Sequence, residues 1–325
     1  MSIEIPNCER YIRVEEIERE ADDIVRLTLS DEHNKSLPSY DCGAHIDLHL
    51  PAGIVRQYSL VDPPGAGPVY RIAVKRESMS RGGSKYIHDD MRVGEKLKIS
   101  TPRNNFGLDP SAAHVVLLAG GIGVTPLISM AQFLAASERT FALHYFTRST
   151  ESTAFLGLIQ TSKLKDRTRN YFGLGAKEVE KAAEEVLRYQ SGSHLYLCGP
   201  TFFMDVIKST AERQNWPQSS IHFEYFSAPV SRNEISQDAF EVQLSRTGQV
   251  FQILPSQTIA DVLARNGVPI QTSCEQGICG TCVTKVLEGV PDHRDFYLSD
   301  QEKSRSDKMT ICTSRSKTKR IVLDI

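Results

Sequence analysis

The sequence predicts a multidomain α/β plus β chain: an antiparallel β-barrel, a doubly wound parallel α/β domain, then a small β domain around a cysteine loop. Three observations lead there. Roughly the first third carries many short apolar runs separated by turn signals. From His114 the rhythm changes to strand, helix, strand. Near the end, cysteines fall in the spacing Cys274-x4-Cys279-x2-Cys282, with Cys312 beyond.

The barrel rests on runs rich in β-branched and apolar residues: Ile24 to Leu29, His45 to Leu50, Tyr58 to Val61, Tyr70 to Lys75 and Lys96 to Ile99. Turn strings such as Pro51-Ala52-Gly53 and Pro63-Pro64-Gly65 separate them. Many short strands with regular turns suit a small barrel. In the second part, Val115 to Ala119 is a continuous apolar run, as a strand buried on both faces requires. Helices are expected over Thr125 to Ala136, Glu178 to Gln190 and Phe202 to Gln214. Strands are expected over Phe141 to Phe146, His194 to Cys198 and Ile221 to Phe226. Such alternation gives a parallel sheet with helices on its faces.

Ala228 to Ala239 is polar, lacks a period and reads as a linker. Beyond it, Phe240 to Leu244 and Val250 to Leu254 flank Thr247-Gly248 as a hairpin. Ile259 to Asn266 reads as a short helix closed by Gly267, and Arg320 to Ile325 as a final strand. The expected domains are therefore 1–108, 109–228 and 240–325, with 229–239 between the last two.

Composition excludes some classes. With 40% hydrophobic residues, 24% charged and a formal net charge of -2, the chain lacks the basic character of a nucleic-acid binder. Its longest apolar stretch, Val115 to Ala119, is far too short to span a bilayer, and Met1 to Arg10 has no apolar signal region. A cytoplasmic protein without membrane partners is expected. Seven cysteines is an odd number, and four of them form one pattern. Without an export signal, that pattern reads as metal ligation.

The quartet matches the plant-type spacing of a [2Fe–2S] cluster. Gly277, Gly280 and Thr281 are small, so the backbone can wrap closely and aim N–H groups at the sulfurs. The alternative is structural zinc, but that metal pairs C-x2-C with a second close pair, and Cys312 stands alone. Cys8 and Cys42 have no partner at ligand spacing and read as packing or surface thiols. His293 reads as structural or docking, because no cysteine of the quartet is missing. The basic run Arg315 to Arg320 reads as solvated surface or a docking patch.

Two glycine-rich segments carry further chemistry. Arg81-Gly82-Gly83-Ser84 precedes a plausible helix, Lys85 to Met91. Free N–H groups, a hydroxyl and an arginine there would cradle a dianionic phosphate. Gly120-Gly121-Ile122-Gly123-Val124-Thr125-Pro126 follows the buried strand but fails the dinucleotide fingerprint, since Pro126 replaces its third glycine. Pro126 suits the first turn of a helix instead. Cys198-Gly199-Pro200 ends another parallel strand, and ligands of open α/β sheets bind at such carboxyl ends.

The block Cys274 to Cys282, followed by Pro291-Asp292-His293-Arg294-Asp295, resembles the reductase components of Rieske oxygenase systems, and most closely the phthalate dioxygenase reductase type. The resemblance implies a flavin domain, a nicotinamide domain and a C-terminal β-grasp ferredoxin, in that order. Cys274 and Cys279 would hold one iron, and Cys282 and Cys312 the other. Arg56-Gln57-Tyr58-Ser59 is similar to the flavin motif of the wider ferredoxin reductase superfamily. By that likeness Tyr58 packs on the flavin ring and Ser59 lies near its N5. Arg56, Gln57, Arg81, Gly82, Gly83 and Ser84 bind the cofactor, with Ala73, Val74 and Lys75 at the ring edge. The Arg-Gly-Gly-Ser form favours FMN. Gly121, Gly123, Thr125, Cys198, Gly199 and Pro200 would line the nicotinamide, with Thr125 and Cys198 nearest the flavin. Phe226 would cover the flavin face, and Arg148 would touch the adenine-side ribose or phosphate. NADH is favoured over NADPH. The resemblance thus implies a monomeric NADH-dependent reductase, with FMN and a [2Fe–2S] cluster, serving a Rieske-type terminal oxygenase that acts on an aromatic or similar small acid. Other acceptors, such as a non-haem monooxygenase or a demethylase, and a redox-sensing role are the alternatives.

Overall fold

The structure, a computed structural model, describes residues 10–228 and 238–325. Most of the expected linker, and Cys8, lie outside the described residues. The chain divides after Phe226 into two compact units.

The first unit opens with six strands: β1 (Arg10–Ala21), β2 (Ile24–Asp31), β3 (His45–Leu50), β4 (Ile54–Ser59), β5 (Tyr70–Lys75) and β6 (Lys96–Ile99). They form one antiparallel sheet ordered β4-β3-β6-β1-β2-β5. Leu60, just past β4, bridges to Ile72 of β5, so the sheet closes on itself. Ile12, Val14, Leu27, Leu29, Ile46 and Leu48 fill the interior. A short helix, α1 (Gly83–Asp89), lies between β5 and β6. The long strand β1 was not among the expected elements. Its Glu- and Arg-rich outer face hides the alternation. That face carries ion pairs to β2, Arg26 to both Glu18 and Glu20, while Ile12 and Val14 point inward.

The α/β part runs β7 (His114–Gly120), α2 (Val124–Ala136), β8 (Phe141–Thr147), α3 (Leu156–Thr161), β9 (Thr168–Phe172), α4 (Ala176–Val186), β10 (Ser193–Cys198), α5 (Thr201–Arg213) and β11 (Ile221–Glu224). The sheet is wholly parallel, ordered β11-β10-β7-β8-β9. Alternate residues of β7 serve opposite cores. Val115, Leu117 and Ala119 pack with Leu127, Ile128 and Ala131 of α2. Val116 and Leu118 pack with Ala183 of α4 and Ile207 of α5. This is why the run is apolar throughout and why the domain is doubly wound. The α2 core continues into the barrel through Ala21, Ile24, Val61, Ala73 and Phe106. Ser129 Oγ donates to the Asp62 carbonyl at 2.6 Å, and Gln132 Nε2 to the Val61 carbonyl at 2.9 Å. Barrel and parallel sheet are thereby fastened into one unit.

Strand β9, polar and five residues long, escaped the apolar-run criterion. The last strand stops at Glu224, so Phe226 lies beyond it rather than ending it.

The second unit holds β12 (Phe240–Leu244), β13 (Val250–Ile253), α6 (Ile259–Arg265), β14 (Val283–Glu288), β15 (Pro291–Asp292), α7 (Asp300–Arg305), β16 (Lys308–Thr310), β17 (Arg315–Ser316) and β18 (Arg320–Leu323). Its main sheet is ordered β13-β12-β18-β14-β16, with β12 and β18 parallel across the middle. Ile259, Val262 and Leu263 of α6 pack on it. Thr258 caps α6 through the Asp261 N–H, and Gly267, at φ 74°, ends it. The hairpin about Thr247-Gly248 and the mixed sheet crossed by a helix agree with a ferredoxin-like β-grasp. Arg315 departs from the solvated reading: it is buried at 4% exposure. Its guanidinium donates to the carbonyls of Gln257 at 2.8 Å and Asp238 at 3.1 Å, and lies over the Phe240 ring. Cys42 is buried in the shared core of the first unit, so it is a packing thiol. Among the described residues no helix is long and apolar enough to cross a membrane.

Candidate redox site

The nicotinamide motifs meet because β7 and β10 are neighbours, with Ala119 opposite Cys198. A Cβ on Gly123 would stand 2.2 Å from the Cys198 carbonyl oxygen, and one on Gly199 would lie 3.0 Å from Gly120 Cα. The two turns are in backbone contact, which only glycine permits. Thr125 is buried on the first turn of α2, where its Oγ1 donates to the Ile122 carbonyl at 3.0 Å. Arg148 follows β8 at the same carboxyl edge of the sheet and is exposed.

The flavin motif lies on β4. Ser59 is buried opposite His45 of β3, and Tyr58 is packed against the barrel core, where burial pushes its phenol up. Arg56 reaches the Arg81 loop: its Nη2 donates to the Arg81 carbonyl at 2.8 Å. Gly82 has φ 95°, and a Cβ on Gly83 would fall 2.6 Å from Arg56 Cγ. A Cβ at either position would collide with Ile54 or Arg56, so glycine lets the loop lie against β4, and its arginines, hydroxyls and N–H groups are a donor set that fits a phosphate. Ser80, which the sequence did not single out, organises it. Its Oγ accepts from the Gly82 N–H at 3.2 Å and from Ser84 Oγ at 3.0 Å. Along β5, His88 Nε2 lies 2.9 Å from the Val74 carbonyl, and Lys75 Nζ lies 3.3 Å from Glu77.

Two residues that the sequence reading missed join these halves. Glu224 pairs with Cys198 across β10 and β11, and its Oε1 lies 3.9 Å from His45 Nδ1. Thus Ser59, His45, Glu224, Cys198, Gly123 and Thr125 follow one another in space. Phe226, half-exposed, follows Glu224 by two residues. Burial raises the Glu224 carboxyl to about 8, and burial, with help from Arg103, lowers His45 to about 4. Neither Glu224 Oε2 nor His45 Nδ1 has a hydrogen-bond partner. At neutral pH the pair is therefore uncharged, with a proton on Glu224. Burial, and then Glu224, also push the Cys198 thiol upward, so it stays protonated.

A pH dependence follows. The Glu224 carboxyl binds its proton more firmly in the folded chain than its ordinary value of 4.5 implies. The corresponding stability is fully present below that ordinary value and is lost as pH climbs through about 8. Glu224→Gln should remove this component. Thermal unfolding is expected to show a flatter loss of Tm over that interval than the parent shows; an unchanged slope would count against the buried acid.

In the second unit, the three-cysteine loop turns through left-handed residues Glu275, Gly277 and Gly280, at φ 57°, 69° and 75°. The Gln276 N–H donates to Cys274 Sγ at 3.4 Å. A Cβ on Gly280 would strike the Tyr297 ring at 2.2 Å, and one on Gly277 would lie 2.6 Å from Thr313 Oγ1. All four thiols are free of disulfides. They interact as pairs. Contact with Cys274 is the chief cause that raises Cys279, and contact with Cys312 the chief cause that lowers Cys282. A further Cys274–Cys312 contact closes the set. Among the described residues no three His, Cys, Asp or Glu side chains are grouped to hold a single metal ion. Four thiols in two pairs, in glycine-rich backbone with N–H groups aimed at sulfur, fit a two-iron cluster. The His293 side chain is 10% exposed, both its ring nitrogens lack hydrogen-bond partners, and its Nδ1 lies 3.5 Å from Asp295 Oδ1.

Comparison with known proteins bears on the fold and on the presence of an iron–sulfur domain. Residues 242–317 match the 2Fe-2S iron-sulfur cluster binding domain family. The chain is 45% identical over 307 residues to the vanillate O-demethylase oxidoreductase of Pseudomonas sp. (strain HR199 / DSM 7063), covering 94% of this chain and 96% of that protein. Phthalate dioxygenase reductase, described as a modular structure for electron transfer from pyridine nucleotides to [2Fe-2S], is 35% identical with a TM-score of 0.74, and 98% of each chain is covered. An intact type IV self-sufficient cytochrome P450 monooxygenase is 32% identical with a TM-score of 0.85; all of this chain is covered, but only 43% of that one. Nearly full-length identity at this level, together with the barrel, the paired glycine turns and the thiol quartet, shows that the chain belongs to the phthalate dioxygenase reductase-like family of iron–sulfur flavoprotein reductase components of oxygenases.

Proposed function

We propose that the chain takes electrons from NADH at the Ser59–Cys198 site, holds FMN there, and passes them through a [2Fe–2S] cluster on Cys274, Cys279, Cys282 and Cys312 to a Rieske-type terminal oxygenase. The observation that carries this reading is the junction of the flavin strand with both nicotinamide turns through His45 and Glu224. Flavin and cluster together split a two-electron hydride donor into single electrons.

The residues serve mainly to position. Arg56, Arg81, Gly82, Gly83 and Ser84 bind the flavin phosphate, and Gln57, Tyr58, Ser59, Ala73, Val74 and Lys75 orient the ring. Gly121, Gly123, Gly199 and Pro200 let the dinucleotide approach the sheet edge, with Arg148 toward its adenosine. Thr125 and Cys198 orient the nicotinamide, and Phe226 covers the flavin face until it binds. Buried and uncharged, the Cys198–Glu224–His45 group keeps water and charge away from the hydride path. The functional parts are taken as 1–108, 109–228 and 240–325, in a monomeric, cytoplasmic protein. The similarity to a vanillate O-demethylase oxidoreductase supports an oxygenase that acts on an aromatic acid.

Anaerobic addition of NADH to the purified protein should bleach both the flavin and the cluster absorption within seconds. The denatured extract should release FMN, not FAD. Persistence of both colours would overturn the reading, and size-exclusion chromatography tests the monomer.

A further inference from the structure

We propose that Asp295 is a positioning residue for the cluster, clamping the three-cysteine loop to the Cys312 turn and holding the cluster's midpoint potential down. This rests on the ligation reading above.

Asp295 is 3% exposed, with a side chain wholly removed from solvent. Its backbone lies against Gly277, whose imagined Cβ would meet Asp295 Cα at 3.0 Å, and the next residue's N–H donates to the Gly277 carbonyl at 2.9 Å. On the other side, Ser314 Oγ donates to Asp295 Oδ1 at 3.4 Å, two residues beyond Cys312. Leu298 N–H donates to Oδ2 at 2.7 Å. One residue therefore touches both halves of the thiol cage, its backbone lying against the three-cysteine loop and its carboxylate holding the Cys312 turn.

Its charge is only partly offset. Lys303 Nζ stands 4.0 Å from Oδ2 and donates instead to the Asp295 carbonyl at 2.7 Å; His293 Nδ1 lies 3.5 Å from Oδ1. A buried negative charge beside a group that gains an electron disfavours reduction, and low local polarity strengthens the effect. A loop staple with no electrostatic role would leave the potential where it was.

The test is a redox titration of the full-length protein, followed by cluster absorption and EPR. Asp295→Asn keeps the shape and removes the charge. It should shift the one-electron equilibrium toward the reduced cluster by about tenfold, an upward move of roughly 59 mV. Lys303→Met removes the offsetting cation and should move the potential downward. Opposite shifts with iron content unchanged support the proposal. No shift in either variant, or shifts of the same sign, overturn it. If Asp295→Asn sheds its iron, Lys303→Met decides alone: a downward shift supports, an unchanged potential overturns. Lack of a cluster signal in the parent would instead strike the ligation reading.

Discussion

Cys312→Ala is expected to leave NADH-driven flavin reduction intact while cutting electron delivery to a one-electron acceptor by more than about 100-fold. Loss of residues that merely support metal ligands costs about 10–100-fold, and a ligand should cost more. Cys312 belongs to the turn between β16 and β17, far from the three-cysteine loop in sequence, and packs in the core beside Ile311 and Met309. Contact with Cys274 lowers its thiol, but contact with Cys282 and burial outweigh that and carry it to about 12. Such a thiol loses its proton to solvent when a metal takes its place on sulfur, so cluster assembly should release protons. The flavin motif and both nicotinamide turns belong to the other compact unit, so hydride acceptance should survive. Stopped-flow spectra that resolve flavin from cluster absorption, with cytochrome c as acceptor, check this. Cys42→Ala, which removes a thiol from the first unit's core, should keep both steps. Equal loss in the two variants would refute the assignment.

What could be read in the sequence was whatever is local. The cysteine spacing, the Arg-Gly-Gly-Ser loop and the two glycine turns each lie within one short segment, and their chemistry follows from that segment. Strand β7 was legible because both of its faces are buried. His45 and Glu224 were not, since each gains its role from a strand neighbour: Ser59 across β3 and β4, Cys198 across β10 and β11. Neither residue carries a motif, and a buried acid looks in sequence like any surface glutamate. Ser80 was overlooked for a related reason, because its hydroxyl serves the N–H groups of the residues that follow. Arg315 shows the converse error. Amid a basic run it looked solvated, yet the carbonyls that turn it inward come from residues about sixty and more positions away.

The second large effect concerns Gly123. Gly123→Ala should lower nicotinamide-dependent flavin reduction by tenfold or more and depress Tm, because the added methyl has nowhere to go. Its φ of -61° suits any residue, so the obstacle is space alone. The atoms it would meet, the Cys198 carbonyl carbon and oxygen and the Gly199 nitrogen, are all backbone, at 2.4, 2.2 and 2.7 Å. No rotamer relieves that clash; β7 and β10 must part at the edge proposed to take the nicotinamide. Overpacking of this kind costs about 1–3 kcal/mol and sometimes more. Gly121→Ala is the discriminating companion. Gly121 is left-handed at φ 53°, but nothing lies within 4 Å of its Cβ position. Its cost should stay near the 1–2 kcal/mol of a left-handed alanine, without splitting the sheet edge. Thermal unfolding and the KM for NADH separate the two. If Gly123→Ala proves as mild as Gly121→Ala, the close approach of the two turns is not what shapes the nicotinamide site.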